Sequence, residues 1–419
     1  MPGMDTMTMR EMAERARAAG RVLGTLPGVV RARAMEAMAA ALAARKAEVL
    51  AANAADVAEA EAGGLTGPLL QRLCLSEKAY AYMAHRLQEV AALPDPLGVV
   101  TRGHTRPSGL RVQRVSVPLG VIGIIYESRP NVTTDAAAVC VKSGNAVILR
   151  GGSEALRTNT LLADIMAEAA EGAGVPAGAI QIVRTADRTA VGELLRQEGL
   201  IDVIIPRGGK SLIRRIAEES RIPVIKHYDG ICHQYVAADA ELAMAVALVV
   251  NSKCEKVEVC NALETLLIDT EAVARVLPAL AQALRAQGVE LRGCPRAQAV
   301  VAMAAASEAD WTTEYLAPIL AVRVVDGVDA AIAHINCYGS GHTDGIITQS
   351  LALADRFVAG VDAASVLVNA STRLSGGGDY GMGAVVGIST DKLHARGPVG
   401  PEELTSYKWV AYGAGQLRQ

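Results

Sequence analysis

Residues Gly120–Asn159 read GVIGIIYESRPNVTTDAAAVCVKSGNAVILRGGSEALRTN, and the fold turns on this stretch. It opens on the apolar run GVIGIIY, passes through a helix-forming segment from near Asn131, and returns to a second apolar run, NAVILR. Short runs that are apolar throughout suit strands buried on both faces, and a helix between two of them reads as a parallel crossover. Further along, IQIV, DVIIP, PVIKHY and HQYVA continue the pattern, with helices beginning near Arg157, Asp187 and Gly209. A second series, LETLLID, VELRG, ILAVRVVD, DGIITQS and SVLVNA, predicts a second α/β domain.

Working outward, residues 8–92 are rich in Ala, Glu, Arg and Met and read as helices. Pro27-Gly28 and Gly63-Gly64 punctuate them, and Ser76 is placed to cap the last. Residues 99–118 form two alternating runs around Pro107-Ser108-Gly109, a hairpin signal. A two-stranded ribbon is marginal alone, so it is expected to pair further, another subunit being one candidate. The tail from 371 is first Gly-rich and then polar.

A chain of 419 residues, 51% hydrophobic with a net charge of −3, supports two or three domains with proper cores. Near-neutral charge argues against a nucleic-acid surface. No apolar run reaches the ~18 residues of a membrane helix. The opening MPGMDTMTMREMAERARAAGR carries early acidic residues and no apolar h-region, so a cytoplasmic location is expected. Seven cysteines are scattered without a CxxC pair, which disfavours a disulfide framework. His334, Cys337 and His342 lie close together in a Gly-rich stretch that reads as a loop, and no metal site is expected.

Two features bear on chemistry. Arg150-Gly151-Gly152-Ser153 and Arg207-Gly208-Gly209-Lys210 each stand where a strand ends and a helix begins. Glycines there let backbone N–H groups approach an anion, and a cation in each turn favours a phosphorylated ligand. The usual dinucleotide fingerprint is absent. The stretch Val257–Ile268, VEVCNALETLLI, puts Cys260 between charged residues and an apolar run. By position alone a buried, inert thiol is the commoner reading, with a nucleophile as the rival.

The wider pattern resembles the aldehyde dehydrogenase superfamily, and within it the γ-glutamyl phosphate reductases. The resemblance spans essentially the whole chain. It is carried by the quoted stretch, DVIIPRGGKSLI, PVIKHYDGICHQYV, VCNALETLLI, TEYLAPILAV, GSGHTDGIIT and NASTRLSGGGDYGMGAVVGISTDKLHARGPVGPEELTSYKW. It implies an aldehyde dehydrogenase-like α/β fold: an NADP(H)-binding domain over 1–98 and 119–238, a catalytic domain over 239–364, and a β-hairpin/C-terminal oligomerisation flap over 99–118 and 365–419. Cys260 matches the nucleophile and Asn131 the oxyanion donor. Glu314 matches the glutamate that holds the nicotinamide ribose, and Arg150–Ser153 and Arg207–Lys210 match the cofactor turns. Arg129, Lys142, Ser371, Thr372 and Arg373 are the substrate-binding candidates, with His227, His233 and His394 behind them. The implied reaction is NADPH-dependent reduction of L-glutamyl 5-phosphate to L-glutamate 5-semialdehyde, the second step of proline synthesis from glutamate, by a homodimer or larger homo-oligomer. Hand-over of the labile acyl phosphate from a glutamate 5-kinase is compatible with this.

Departures are visible. The stretch HYDGICH lacks the water-activating glutamate of aldehyde-oxidising relatives, which favours reduction over hydrolysis. Val257 and Glu258 replace the family's usual Pro and small residue. Glu258, if close to the thiol, should raise its pKa, with Lys253 or Lys256 in position to offset it. Two other readings stay open: an aldehyde or acyl-CoA dehydrogenase using the same thiol, and a non-catalytic binding protein on this fold.

Overall fold

The computed structural model describes residues 7–127 and 129–418; the first six residues of the N-terminal stretch read above lie outside them. Two compact units result: Met1–Lys226 with Gly381–Ile388 and Pro398–Gln419, and His227–Tyr380 with Ser389–Gly397.

The first unit opens with five helices, α1 (Met9–Leu23), α2 (Gly28–Ala44), α3 (Lys46–Ala62), α4 (Gly67–Leu73) and α5 (Glu77–Ala92). A capping box starts α1, with Thr8 and Glu11 satisfying each other's backbone N–H groups. Ser76 caps α5 by accepting from Ala79 N at 3.1 Å, as its sequence position suggests. The hairpin follows as β1 (Val100–Thr105) and β2 (Arg111–Pro118). Its further partner within the chain is the C-terminal strand Thr405–Tyr412, antiparallel to β2 with Tyr412 opposite Arg111. Cation–π contacts of Arg114 with Tyr407 (3.7 Å) and Arg111 with Tyr412 (4.6 Å) brace this three-stranded ribbon.

The crossover read from the opening stretch is β3 (Val121–Tyr126), α6 (Asn131–Lys142) and β4 (Ala146–Arg150). It continues through α7 (Leu156–Gly172), β5 (Ile180–Ile182), α8 (Thr189–Leu194), β6 (Val203–Arg207) and α9 (Lys210–Glu219). The four strands are parallel, in the order β5-β4-β3-β6. Each of β3 and β4 is buried along its full length, the physical reason their sequences carry no polar alternation.

The second unit carries a seven-stranded sheet. Its elements in chain order are β7 (Cys232–Val236), α10 (Leu242–Cys254), β8 (Leu263–Asp269), α11 (Val273–Ala286), β9 (Glu290–Gly293), α12 (Pro295–Gln298), β10 (Ala304–Ala305), β11 (Ile319–Val325), α13 (Gly327–Tyr338), β12 (Thr343–Ile347), α14 (Leu351–Gly360) and β13 (Ser365–Val368). The strands run in parallel in the order β10-β9-β11-β8-β7-β12-β13.

Two boundaries and one strand differ from the sequence expectation. The break expected after 238 falls between Lys226 and His227, because HQYVA pairs with β8 and β12 at the middle of the second sheet. PVIKHY makes no strand; one isolated bridge, Ile204 to Val224, is its contribution. The expected flap divides: the hairpin and 398–419 cluster with the first unit, while β13 and most of the following Gly-rich segment belong to the second.

Candidate active site

Four strands of the second sheet lie side by side in the order β11-β8-β7-β12 and point the same way. The residues just before each strand therefore converge on one edge of the sheet. They are Glu314 before β11, Cys260 before β8, Gly230 before β7 and His342 before β12.

Cys260 is half-buried, in a turn between α10 and β8 rather than inside the strand. Its main chain is clamped. A Cβ on Gly230 would lie 1.8 Å from the Cys260 carbonyl oxygen, so only glycine fits there. The Cys232 thiol donates to that same carbonyl at 3.2 Å. Burial first, then neighbouring carboxylates, push the Cys232 thiol well above its ordinary range, so it stays protonated as a donor. Gly230 is fixed in turn by its N–H, which donates to Glu314 Oε1 at 2.9 Å, and Ile231 N–H donates to Ser340 Oγ at 2.9 Å.

Two imidazoles flank the thiol. One ligating atom from each of His227, Cys260 and His342 lies within 4.8 Å of the other two, and the rings of His227 and His342 meet edge-on at 5.4 Å. His342 Nδ1 is 2.8 Å from Thr343 Oγ1, while its Nε2 is buried without a hydrogen-bond partner. Burial pushes this imidazole down to about 4, against the opposing pull of Asp344 and Glu314, so it is neutral at pH 7. A thiol with two imidazoles is a donor set of the type that zinc favours. The close trio of sequence, His334, Cys337 and His342, is not the one that forms: His334 instead stacks among Trp311, His233 and Tyr338.

Deeper in, Lys253 and Glu264 form a fully buried ion pair at 2.6 Å. Glu264 Oε1 also accepts from Leu316 N at 3.2 Å, tying the loop that carries Glu314 to the strand after Cys260. Burial lowers the Lys253 ammonium and raises the Glu264 carboxyl to about 7, each opposed by the other's charge. Lys253 is thereby committed to Glu264, which corrects its expected role of offsetting Glu258.

The substrate candidates separate. Arg373 donates to Glu255 Oε2 at 2.7 Å and to the side chain of Asn261, next to Cys260, and Asn261 returns a bond to its carbonyl at 3.2 Å. Ser371 and Thr372 are buried: the Ser371 hydroxyl meets Ser252 Oγ at 3.1 Å, and the Thr372 backbone N–H donates to the same Oγ at 3.1 Å while its own Oγ1 has no hydrogen-bond partner. Lys142 is also corrected: its buried Nζ donates to the carbonyls of Ala91 and Leu93, closing the end of α5. Arg129 is half-buried in the turn into α6, its carbonyl accepting from Val132 N at 3.0 Å. Asn131 is the first residue of α6 and donates to Asp135 Oδ2 at 3.3 Å.

In the first sheet, the chain moves from β3 to β4 to β5 on one side and then returns to place β6 on the other. The strand order thus reverses between β3 and β6, and dinucleotides bind beyond the carboxyl ends at such a reversal. Gly208, Gly209 and Lys210 are exposed at the end of β6, and Gly209 caps α9. At that end Gly209 N–H donates to Glu127 Oε2 at 2.9 Å. At the end of β4, a Cβ on Gly151 would lie 2.2 Å from the buried Asn159 side-chain amide, and Ser153 is exposed. The Arg150 guanidinium is turned onto the carbonyls of Gly151, Ala186 and Asp187, so it braces the loop around the turn.

Residues 1–310 and 292–384 match the sequence profile of the aldehyde dehydrogenase family. A crystal structure of γ-glutamyl phosphate reductase from Thermotoga maritima is 40% identical, with a TM-score of 0.95, covering 98% of this chain and 100% of its own. The enzyme of that name from Saccharomyces cerevisiae is 31% identical over 99% of this chain and 100% of its own, with a TM-score of 0.55. The chain belongs to the aldehyde dehydrogenase family, in its γ-glutamyl phosphate reductase branch. An engineered glycolyl-CoA reductase with bound NADP+ shares the aldehyde dehydrogenase fold at 14% identity, with a TM-score of 0.68 over 96% of each chain. The structure brings Cys260 and Glu314 together with Gly230, Cys232 and His342, which the sequence does not group with them; their signal is their place just before or at the start of strands β7 and β12.

Proposed function

We propose that this member of the family reduces L-glutamyl 5-phosphate to L-glutamate 5-semialdehyde and phosphate, with Cys260 as the covalent nucleophile. The observation that carries the reading is the half-buried Cys260 thiol, its carbonyl clamped by Gly230 and Cys232 and its sulfur within 4.8 Å of a nitrogen of each of two imidazoles. The Cys260 thiolate attacks the acyl carbon, a C–S bond forms, and collapse of the tetrahedral species breaks the carbon–oxygen bond to phosphate. The backbone N–H of Cys260 and the Asn131 side chain are the oxyanion donors in this reading, the latter by its family match. The thiol proton leaves by way of His227, which has a ring nitrogen within 4.8 Å of the sulfur, while His342, held at about 4 by burial, stays unprotonated beside it. When bound, NADPH supplies the hydride that the thioester accepts. The second collapse breaks the C–S bond, returns the Cys260 thiolate and leaves the aldehyde.

In this reading Glu314, Gly208, Gly209, Lys210, Gly151, Gly152 and Ser153 hold the dinucleotide, with Arg150 and Arg207 supporting the two turns. Comparing kcat/KM for NADPH and NADH tests the preference; a strong bias to NADH overturns it. The ribbon of β1, β2 and 405–412 is the surface proposed for a second copy, since β1 is exposed at every position and Trp409 is 53% exposed.

The reaction is tested in reverse, with glutamate semialdehyde, NADP+ and orthophosphate. Nicotinamide reduction that strictly requires phosphate is expected. Turnover without phosphate supports an aldehyde dehydrogenase instead, and silence under all conditions supports a binding protein. Cys260→Ser is expected to lose turnover while still binding the nucleotide.

A further inference from the structure

A cleft of about 210 Å³ lies wholly within the first unit, where α5 and α6 run past each other; Arg72, Tyr82, Met83, Arg86, Asn131 and Asp135 are among its walls. Arg86 and Asp135 confront each other there, but Arg86 Nε and Asp135 Oδ1 stop 4.0 Å apart, beyond hydrogen-bond distance. Their side chains are only 12% and 14% exposed. Arg86 Nε is buried and meets no acceptor. The rest of its guanidinium has weak partners: Tyr82 Oη at 3.4 Å, Glu89 Oε2 at 3.8 Å, and the Tyr82 ring at 5.5 Å. Asp135 accepts from Asn131 Nδ2 at 3.3 Å, and burial raises its carboxyl against the opposing influence of Arg86 and Asn131.

Ion pairs that serve structure in this chain close to contact, as Arg31–Asp95 does at 2.7 Å and Lys253–Glu264 at 2.6 Å. A buried pair held open, with an unmet donor, costs free energy in the empty protein. We infer that this cleft binds the zwitterionic end of an α-amino acid substrate, Arg86 taking the α-carboxylate and Asp135 the α-ammonium. The inference rests on the reaction proposed above and names the groups that select its substrate. The spacing agrees. Asn131 and Asp135 are four residues apart on α6, about one 5.4 Å turn. An acyl oxygen at Asn131 would put the α-carbon, three carbon–carbon bonds or roughly 4 Å further along, beside Asp135. An ammonium on Asp135 also displaces Asn131 Nδ2, releasing that amide toward the acyl oxygen.

The test compares two aldehydes in the phosphate-dependent reverse reaction: glutamate 5-semialdehyde, and 5-oxopentanoate, which lacks only the amino group. For Asp135→Asn the ratio of their kcat/KM values is expected to fall about 30-fold, through KM for the amino acid. Arg86→Gln is expected to raise KM for both by a similar factor, because both carry the carboxylate. An unchanged ratio in Asp135→Asn, or equal losses on both aldehydes, overturns the clamp. Should the wild type be silent with both, the proposed reaction fails, and the clamp is judged by binding alone. L-glutamate should then raise the melting temperature of the wild type more than glutarate does, and Asp135→Asn should abolish that difference. Equal stabilisation of the wild type by the two ligands overturns the clamp independently.

Discussion

A methyl group on Gly230 would lie 1.8 Å from the carbonyl oxygen of Cys260 and 2.7 Å from its Cα. Gly230→Ala must therefore move the Cys260 main chain, and overpacking of this kind costs about 1–3 kcal/mol. We expect its kcat to fall at least about 100-fold, alongside slower alkylation of Cys260 by iodoacetamide; a variant with normal alkylation and turnover would show the contact to be unimportant. His342 gives a pH signature. Burial holds its imidazole at about 4 in the folded protein against an ordinary value of 6.5. Between those values the unfolded chain binds the proton and the folded chain does not, so this contribution is present above 6.5 and is lost as pH falls toward 4. Urea unfolding should show the wild type losing about 2 kcal/mol more than His342→Gln between pH 7 and 4.5.

Among the elements, the turn before β8 gathers the chemistry, and its tripod of His227, Cys260 and His342 makes a prediction of its own. Zn²⁺ added to thiol-free buffer should inhibit turnover by capturing the Cys260 sulfur, and a chelator should restore it. His342→Gln should weaken that inhibition about tenfold or more, read from the zinc titration. Beneath the turn, α10 and β8 are joined by the Lys253–Glu264 pair, both side chains fully buried. Lys253→Met leaves a buried carboxylate alone and should destabilise by about 3–5 kcal/mol; adding Glu264→Leu should recover most of it. Calorimetric melts of the two variants decide this. In the first unit, the ribbon carries Tyr407, Trp409 and Tyr412 on exposed positions of its C-terminal strand. Light scattering of a Trp409→Glu variant should show a smaller assembly than the wild type, if this surface is where copies meet.

At the level of the whole molecule, two units each built on a parallel sheet follow from one rule. A strand buried on both faces must be apolar throughout, so its length and its flanking helices show directly in the sequence. GVIGIIY, NAVILR, IQIV and DVIIP became β3, β4, β5 and β6, and the later series became β8, β9, β11, β12 and β13. HQYVA was misassigned because an apolar run does not say which sheet it joins. PVIKHY was overread because Pro223 and the residues after it lead from one unit into the next. The assay with phosphate present and absent belongs at this scale, since it reads the reaction of the complete chain.

Local chemistry written into the sequence determined the strands, the capped helices and the hairpin, and the family motif singled out Cys260 as the nucleophile proposed here. Tertiary structure alone decided which residues surround that sulfur. Gly230, Cys260, Glu314 and His342 are separated by tens of residues, and no periodicity links them. They meet because each precedes a strand of one parallel sheet, and parallel strands bring their entry points to a common edge. The same holds for Lys142, Ser371 and Thr372, whose polar side chains looked available for substrate. Burial demanded partners for Lys142 and Ser371, and nearby backbone carbonyls and the Ser252 hydroxyl supplied them, while Thr372 is held by its backbone N–H on Ser252 Oγ.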